Sequence, residues 1–224
     1  MSEKLDVYNY KRIKTGKIIE RNENAILDKC DYILAIQCWI INAKCEILLT
    51  RRKLDKVHGG MWEPTGGLVQ SGENSIQATK RELNEEIGIN ISERELKFIK
   101  EKIDKSDRHN VFRDVYVIKK DININELKFN DGEVIDSKWV SLDEYVGLYN
   151  KGEVAPSGDF VIKMLKEKLE NVVLPSKIVN NTHKAWLIES LQDIIEKLAP
   201  SKPQQWIVSH YMNVNTAGNS SFLE

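Results

Sequence analysis

Between Gly67 and Ile89 the chain reads GLVQSGENSIQATKRELNEEIGI, a short run that gathers Glu73, Arg81, Glu82, Glu85 and Glu86 between glycines. Helical residues advance by about 100° each, so Glu82, Glu85 and Glu86 at relative positions 0, 3 and 4 share one face. Carboxylates brought that close repel one another: unit charges about 4 Å apart cost about 4 kcal/mol at an effective dielectric of about 20. A hard divalent cation relieves the repulsion. Oxygen donors alone, with no histidine or cysteine in the segment, favour Mg²⁺ or Mn²⁺ over zinc. The plainer alternative is a solvated acidic helix face. The fixed glycines and the arginine embedded among the glutamates argue against it, because an arginine there can brace carboxylates through bidentate hydrogen bonds.

The elements that must position these residues are legible on both sides. Ile76, Leu83 and Ile87 give the helix a stripe to bury beside its acidic edge, Ser75 is its candidate N-cap, and Gly88 stands where a left-handed residue would end it. Upstream, DVYNYKRIKTGKIIER is read as a hairpin turning at Thr15-Gly16. YILAIQCWII, from Tyr32 to Ile41, is apolar on both alternating faces, as a strand covered on both sides must be. A turn at Asn42-Ala43-Lys44 leads into a strand at Glu46 to Thr50. Arg51, Arg52 and Lys56 follow it directly, placing positive charge where an anionic ligand beside the cation site needs it, or else simply facing solvent. The segment HGGMWEPTGG reads as a loop whose Gly59, Gly60, Gly66 and Gly67 let backbone approach a ligand closely. Trp62 within it is either a flat face for a substrate ring or a packed anchor, with packing favoured.

Downstream the pattern predicts an edge strand near Leu96 to Ile99, strands at Val111 to Ile118 and Val134 to Val140, and a helix from the capping box Ser141 to Glu144 through about Leu148. A further helix is expected from about Gly158 to Glu170. Glu133, at the start of the strand that carries Trp139, reads by pattern alone as an edge-strand surface residue.

Composition bounds the rest. The 224 residues are 30% charged and 41% hydrophobic with a formal net charge of −1, which fits one globular domain with an appendage and marks no nucleic-acid or anionic-membrane surface. Cys30, Cys38 and Cys45 form no C-x-x-C pair and cannot all pair within the chain. That usage points to a reducing compartment, and the absence of an apolar leader or spanning run makes the cytoplasm the expected location. Residues 1–170 are expected to form the main domain, and 171–224 an extension of unknown role. In that extension an amphipathic helix at about 182–198 precedes a strand-like stretch. It is read as an intact extension, an arm that mediates a homodimer, or the opening of a second domain.

The segment resembles the Nudix box, G-x5-E-x7-R-E-U-x-E-E-x-G-U with U apolar, and departs from it nowhere. The resemblance extends more weakly over roughly residues 5–170. It implies an α/β fold, a mixed β-sheet in an α/β/α sandwich, and the C-terminal helical extension lies outside it. It further implies hydrolysis of a diphosphate linked to another moiety. Glu82, Glu85 and Glu86 would then be metal ligands, the backbone carbonyl of Gly66 a further ligand, and Glu73 with Arg81 the pair that braces the box, with Gly67 beside the substrate. Glu133 lies where many members of the family place an additional carboxylate, which would make it an extra ligand or general base, and either it or Glu82 would take the proton from water. One departure lies just upstream: Thr65 stands between Pro64 and the glycines, where the commoner form has proline directly before them.

The layout around W-E-x-T-G-G is also similar to the branch that includes isopentenyl-diphosphate isomerase. That branch carries a catalytic cysteine just before the box and a metal-binding histidine upstream. Here the loop has Gly66 and Gly67, and residues 30–42 hold no histidine. A non-catalytic, nucleotide-binding regulatory module is the remaining alternative. No submotif for ADP-ribose, dinucleoside polyphosphate or NADH types stands after the box, and LLTRR with Lys56 only faintly resembles the coenzyme A type.

Overall fold

The computed structural model describes residues 3–21, 27–44, 46–105 and 110–159. In chain order the strands are β1 (Lys4–Tyr8), β2 (Lys14–Glu20), β3 (Tyr32–Ile41), β4 (Ile47–Arg52), β5 (Trp62–Glu63) and β6 (Thr65–Leu68). Helix α1 (Ser75–Ile87) follows, then β7 (Lys97–Lys105), β8 (Asn110–Lys119), β9 (Val134–Val140) and helix α2 (Leu142–Asn150).

All ten residues of β3 are buried, and the sheet is organised around it. Along one edge β3 pairs in parallel with the whole of β8, from Tyr32 opposite Asn110 to Ile41 opposite Lys119. Along the other edge it meets β1 at Tyr8, then β6 through Ala35 to Cys38, then β4 at Ile47. The outer strands are β2 on β1, β7 on β8, and β5 and β9 on β4, which completes one mixed sheet among the described residues.

Side chains alternate across a strand, and here the alternation sorts residues between two cores. Leu34, Ile36, Cys38 and Ile40 face α1 and pack with Ala78, Leu83 and Ile87, whereas Trp39 and Ile41 face α2 and pack with Leu142 and Tyr145. The α/β/α sandwich follows directly. Burying each of Leu83 and Ile87 completely contributes about 1.5–3 kcal/mol, which is what seats α1 on the sheet. No helix among the described residues is long and apolar enough to cross a membrane.

Several boundaries differ from the sequence reading. The amino-terminal hairpin forms, but its turn lies at Asn9–Arg12, where the Asn9 side chain accepts from Lys11 N and Ile13 N and Arg12 takes the left-handed conformation. Gly16 sits inside β2, across from an irregularity in the pairing with β1, so its positive φ serves the strand and not the turn. The N-cap of α1 is Asn74, one residue before Ser75: its side chain accepts from Gln77 N while the Gln77 side chain accepts from Asn74 N. Asn74→Ala should lower stability by about 1 kcal/mol in denaturant unfolding, with the unfolding m-value unchanged. β7 runs from Lys97 to Lys105, well beyond Ile99. The HGGMWEPTGG segment contributes β5 and β6 instead of being loop throughout. After α2 a short 3-10 turn spans Pro156–Asp159; most of the helix expected to about Glu170 and the whole of 171–224 lie outside the described residues.

Candidate functional site

Arg81 is the hub of the site. Its Nε and Nη2 hold the two oxygens of Glu73 at 2.8 and 3.0 Å, and its Nη1 donates to Glu82 at 2.8 Å and to Glu85 at 2.9 Å. Nη2 also donates to the Leu68 carbonyl at 2.9 Å, so the guanidinium ties α1 to the end of β6. Glu73 in turn accepts from Gln70 N, which closes the turn between β6 and α1. Burial alone would lower the Arg81 pKa, but Glu73, Glu82 and Glu85 together hold it above the ordinary arginine value. Glu73 therefore braces Arg81, and Arg81 fixes two of the three clustered carboxylates.

The three glutamates are not equivalent. Glu82 and Glu86, 8% and 6% exposed, lie within the buried face of α1 beside Leu83 and Ile87, whereas the Glu85 side chain stands at the rim. The acidic edge beside an apolar stripe is thus partly folded into that stripe. Burial pushes the Glu82 carboxyl up to about 7 despite Arg81, and burial with the neighbouring Glu82 charge pushes Glu86 well above the carboxylate range. Glu86 bonds the Thr65 side chain, but its Oε2 is buried with no hydrogen-bond partner.

The glycines of β6 make room for this. A Cβ on Gly67 would fall on the Glu82 carboxylate, reaching Oε2 at 2.7 Å, and a Cβ on Gly66 would press on the Ile36 carbonyl at 2.9 Å. Gly67→Ala is therefore expected to push Glu82 out of place and reduce kcat/KM at least about tenfold, while overpacking costs about 1–3 kcal/mol of stability. Steady-state kinetics alongside thermal unfolding would check both.

At the far end of α1, Gly88 adopts φ 73°, and the Gly88 and Ile89 amides return to the Asn84 and Leu83 carbonyls. The amides of Asn130 and Asp131 both donate to the Glu85 carbonyl, which docks the segment before β9 onto the helix. Glu133 Oε1 lies 2.6 Å from Lys56 Nζ; burial raises its pKa, but Lys56 outweighs that and holds it below the ordinary value. Arg52 pairs with Glu63 and donates through Nε to the Val57 carbonyl at 2.8 Å. Arg51 donates to the Gly60 carbonyl at 2.9 Å and lies over the Trp62 ring.

Trp62 is 7% exposed, packs in the α2 core, and has Lys138 Nζ 4.0 Å from its ring centroid. It is an anchor, and not an open face for a substrate ring. Sequence reading passed over Glu63 and Asp131, whose charges both reach Glu86. Only Glu63's position directly after Trp62 and before the proline and glycines could have drawn attention to it.

As the side chains stand, no three histidine, cysteine or carboxylate groups among the described residues converge on one point, because Glu82 and Glu85 are turned onto Arg81 Nη1. The residues nevertheless fit a divalent cation. The donors are all oxygen, and a buried carboxylate oxygen lacks a partner.

The NUDIX domain family model matches residues 31–162. An uncharacterized Nudix hydrolase of Listeria monocytogenes, lmo0368, is 32% identical over 156 residues, covering 69% of this chain and 89% of that protein. An isopentenyl-diphosphate Delta-isomerase of Escherichia coli is 30% identical over 112 residues, covering 49% of this chain and 62% of the isomerase. The solved structure of DR0079 from Deinococcus radiodurans superposes with a TM-score of 0.56 at 22% identity, over 70% of this chain and 94% of that one, a likeness of fold.

Proposed function

The chain belongs to the Nudix hydrolase family, and from that premise we propose that it cleaves a P–O–P linkage in a small-molecule diphosphate, with Mg²⁺ or Mn²⁺ held by Glu82, Glu85, Glu86 and the Gly66 carbonyl. The observation that carries this reading is the pair of buried carboxylates, Glu82 and Glu86, one of them with an unpartnered oxygen. An isolated buried carboxylate costs several kcal/mol, on the order expected for uncompensated buried charge, unless a cation balances it. The chemistry such a cation supplies when bound is charge neutralisation at phosphoryl oxygens and acidification of water.

The chain's own residues do the rest. Arg81 holds Glu82 and Glu85 in fixed rotamers, so the carboxylates need not reorganise when substrate arrives. Gly67 leaves the space beside β6 that the Glu82 carboxylate fills. Arg52 supplies positive charge for the diphosphate, whereas Lys56 is already paired with Glu133. The proton from the attacking water passes to a carboxylate oxygen of Glu82 or Glu133, and Glu133→Gln separates these: activity kept in that variant assigns the role to Glu82. The free thiols of Cys30 and Cys38 support a reducing, cytoplasmic setting.

A panel of nucleoside triphosphates, nucleotide sugars, dinucleotides, coenzyme A and isoprenoid diphosphates, each with and without Mg²⁺, tests the proposal. Mg²⁺-dependent product release on one class is the expected result. Rearrangement of isopentenyl diphosphate without release would favour isomerisation, although Gly66 and Gly67 stand where a catalytic cysteine is expected. No turnover, with a ligand that raises the melting temperature, would favour a regulatory binding module.

A further inference from the structure

Arg51 and Arg52 end β4 and Lys56 follows it, and the three side chains are engaged in different ways. Arg51 is committed to the Gly60 carbonyl and the buried Trp62 ring, and Lys56 is neutralised by Glu133. Arg52 is held at two places only, Nε on the Val57 carbonyl and Nη1 on Glu63 Oε1, and its side chain is 22% exposed. Nothing among the described residues bonds its Nη2.

The other oxygen of Glu63 is also fixed. Ser157 Oγ donates to Glu63 Oε2 at 3.1 Å. The Ser157 carbonyl accepts from Gln37 Nε2 at 2.6 Å and from Lys102 Nζ at 3.2 Å, a buried and a part-buried side chain rooted in the sheet on β3 and β7. A continuous line of hydrogen bonds therefore runs from the sheet through Ser157 and Glu63 to the Arg52 guanidinium. The backbone is pinned as well: Arg52 N donates to Met61 O, Gly60 N donates to Arg52 O, and Thr50 Oγ1 donates to Glu63 O. Glu63 stands two residues before Thr65, the partner of Glu86, and its charge reaches Glu86, so the middle of this line lies near the carboxylate cluster.

We infer that Glu63 and Ser157 are positioning residues that hold Arg52 as the cation gripping the substrate diphosphate. This rests on the diphosphate reading above. A free arginine side chain has on the order of 2 kcal/mol of rotamer entropy to lose when it binds an anion; one already fixed at two nitrogens presents the third without that loss. Splitting the Glu63 carboxylate between Arg52 and Ser157 orients the guanidinium plane, and Nη2 then meets a phosphoryl oxygen in a charge-assisted hydrogen bond.

The test is calorimetric titration of the full chain with methylenediphosphonate and Mg²⁺, which needs no turnover. Arg52→Ala should weaken binding at least about tenfold, the loss expected for a charge-assisted hydrogen bond. Glu63→Gln and Ser157→Ala should each weaken it about fivefold, and Ser157→Thr should restore most of the affinity. In an Arg52→Ala background, Glu63→Gln should change affinity by no more than about twofold, because Glu63 acts through Arg52. A merely structural role for Glu63 predicts the same loss in both backgrounds, and that result would overturn the inference, as would wild-type affinity in Arg52→Ala. If Glu63→Gln unfolds the protein, the Ser157→Ala and Ser157→Thr pair carries the same test. Failure of the wild-type protein to bind the diphosphonate would overturn the diphosphate reading itself, and the role of Arg52 with it.

Discussion

Glu86→Gln is expected to reduce turnover by on the order of 10³ while raising the melting temperature of the metal-free protein. The two effects have one cause. Glu86 is buried beside Glu82, with one oxygen lacking any partner, so its carboxylate is there at a cost in stability. Keeping it charged, or protonating it against its ordinary pKa, requires free energy that a neutral amide of the same shape does not. The glutamine NH₂ can also donate to the neighbouring carboxylates, an option closed to the native side chain. Relief of about 1–3 kcal/mol is the scale for an unsatisfied buried polar group. For a chain of this size each kcal/mol moves the midpoint by about 2–4 °C. Differential scanning calorimetry in chelator and steady-state kinetics with Mg²⁺ would read the two arms. An inactive variant that also melts lower would mean that Glu86 is a structural residue, and an active one would remove it from the cation site.

Arg81→Ala should do the opposite to stability. Arg81 is 17% exposed and satisfies Glu73, Glu82, Glu85 and the Leu68 carbonyl at once. Its loss leaves three carboxylates facing one another across a partly buried space and frees the turn between β6 and α1. Removing one partner of a buried ion pair typically costs about 3–5 kcal/mol, a large fraction of the stability of an ordinary domain. Activity should fall with it, because Glu82 and Glu85 lose the group that fixes their rotamers. A shift of the unfolding midpoint at unchanged m-value is the readout, and saturating Mg²⁺ should recover part of the lost stability by replacing the missing positive charge. If Arg81→Ala instead unfolds like wild type, the network around it is surface decoration.

These two variants separate what was legible in the sequence from what was not. The face shared by Glu82, Glu85 and Glu86 follows from helical period alone, and Gly88 ends α1 in the left-handed conformation as its type suggests. YILAIQCWII announced a strand covered on both faces, and β3 is that strand. What local pattern could not supply was burial. Glu82 and Glu86 look like surface glutamates until α1 is laid against β6, where Gly67 leaves the gap that Glu82 fills.

The same holds for smaller misreadings. Asn74 and Ser75 are both good caps, and only the turn of the backbone decides between them. Thr15-Gly16 is the stronger turn signal by residue type, but Asn9 closes the hairpin with side-chain bonds a few residues earlier. β7 carries alternating charges and leaves Phe98 and Ile103 exposed, so no periodicity marked its length; pairing with β8 sets it. Glu63 was invisible because its partner Ser157 is distant in sequence, and nothing local announces a hydrogen bond of that range.

The measurement that bears most directly on the central claim is a Mn²⁺ titration of the wild-type chain, followed by electron paramagnetic resonance, beside Glu82→Gln, Glu85→Gln and Glu86→Gln. Saturable binding to the wild-type protein is expected, weakened at least about tenfold in each variant, with the buried Glu82 and Glu86 positions losing more than the rim position Glu85. Equal Mn²⁺ affinity in all four proteins would contradict it, since the glutamates of α1 would then share a face without holding a cation.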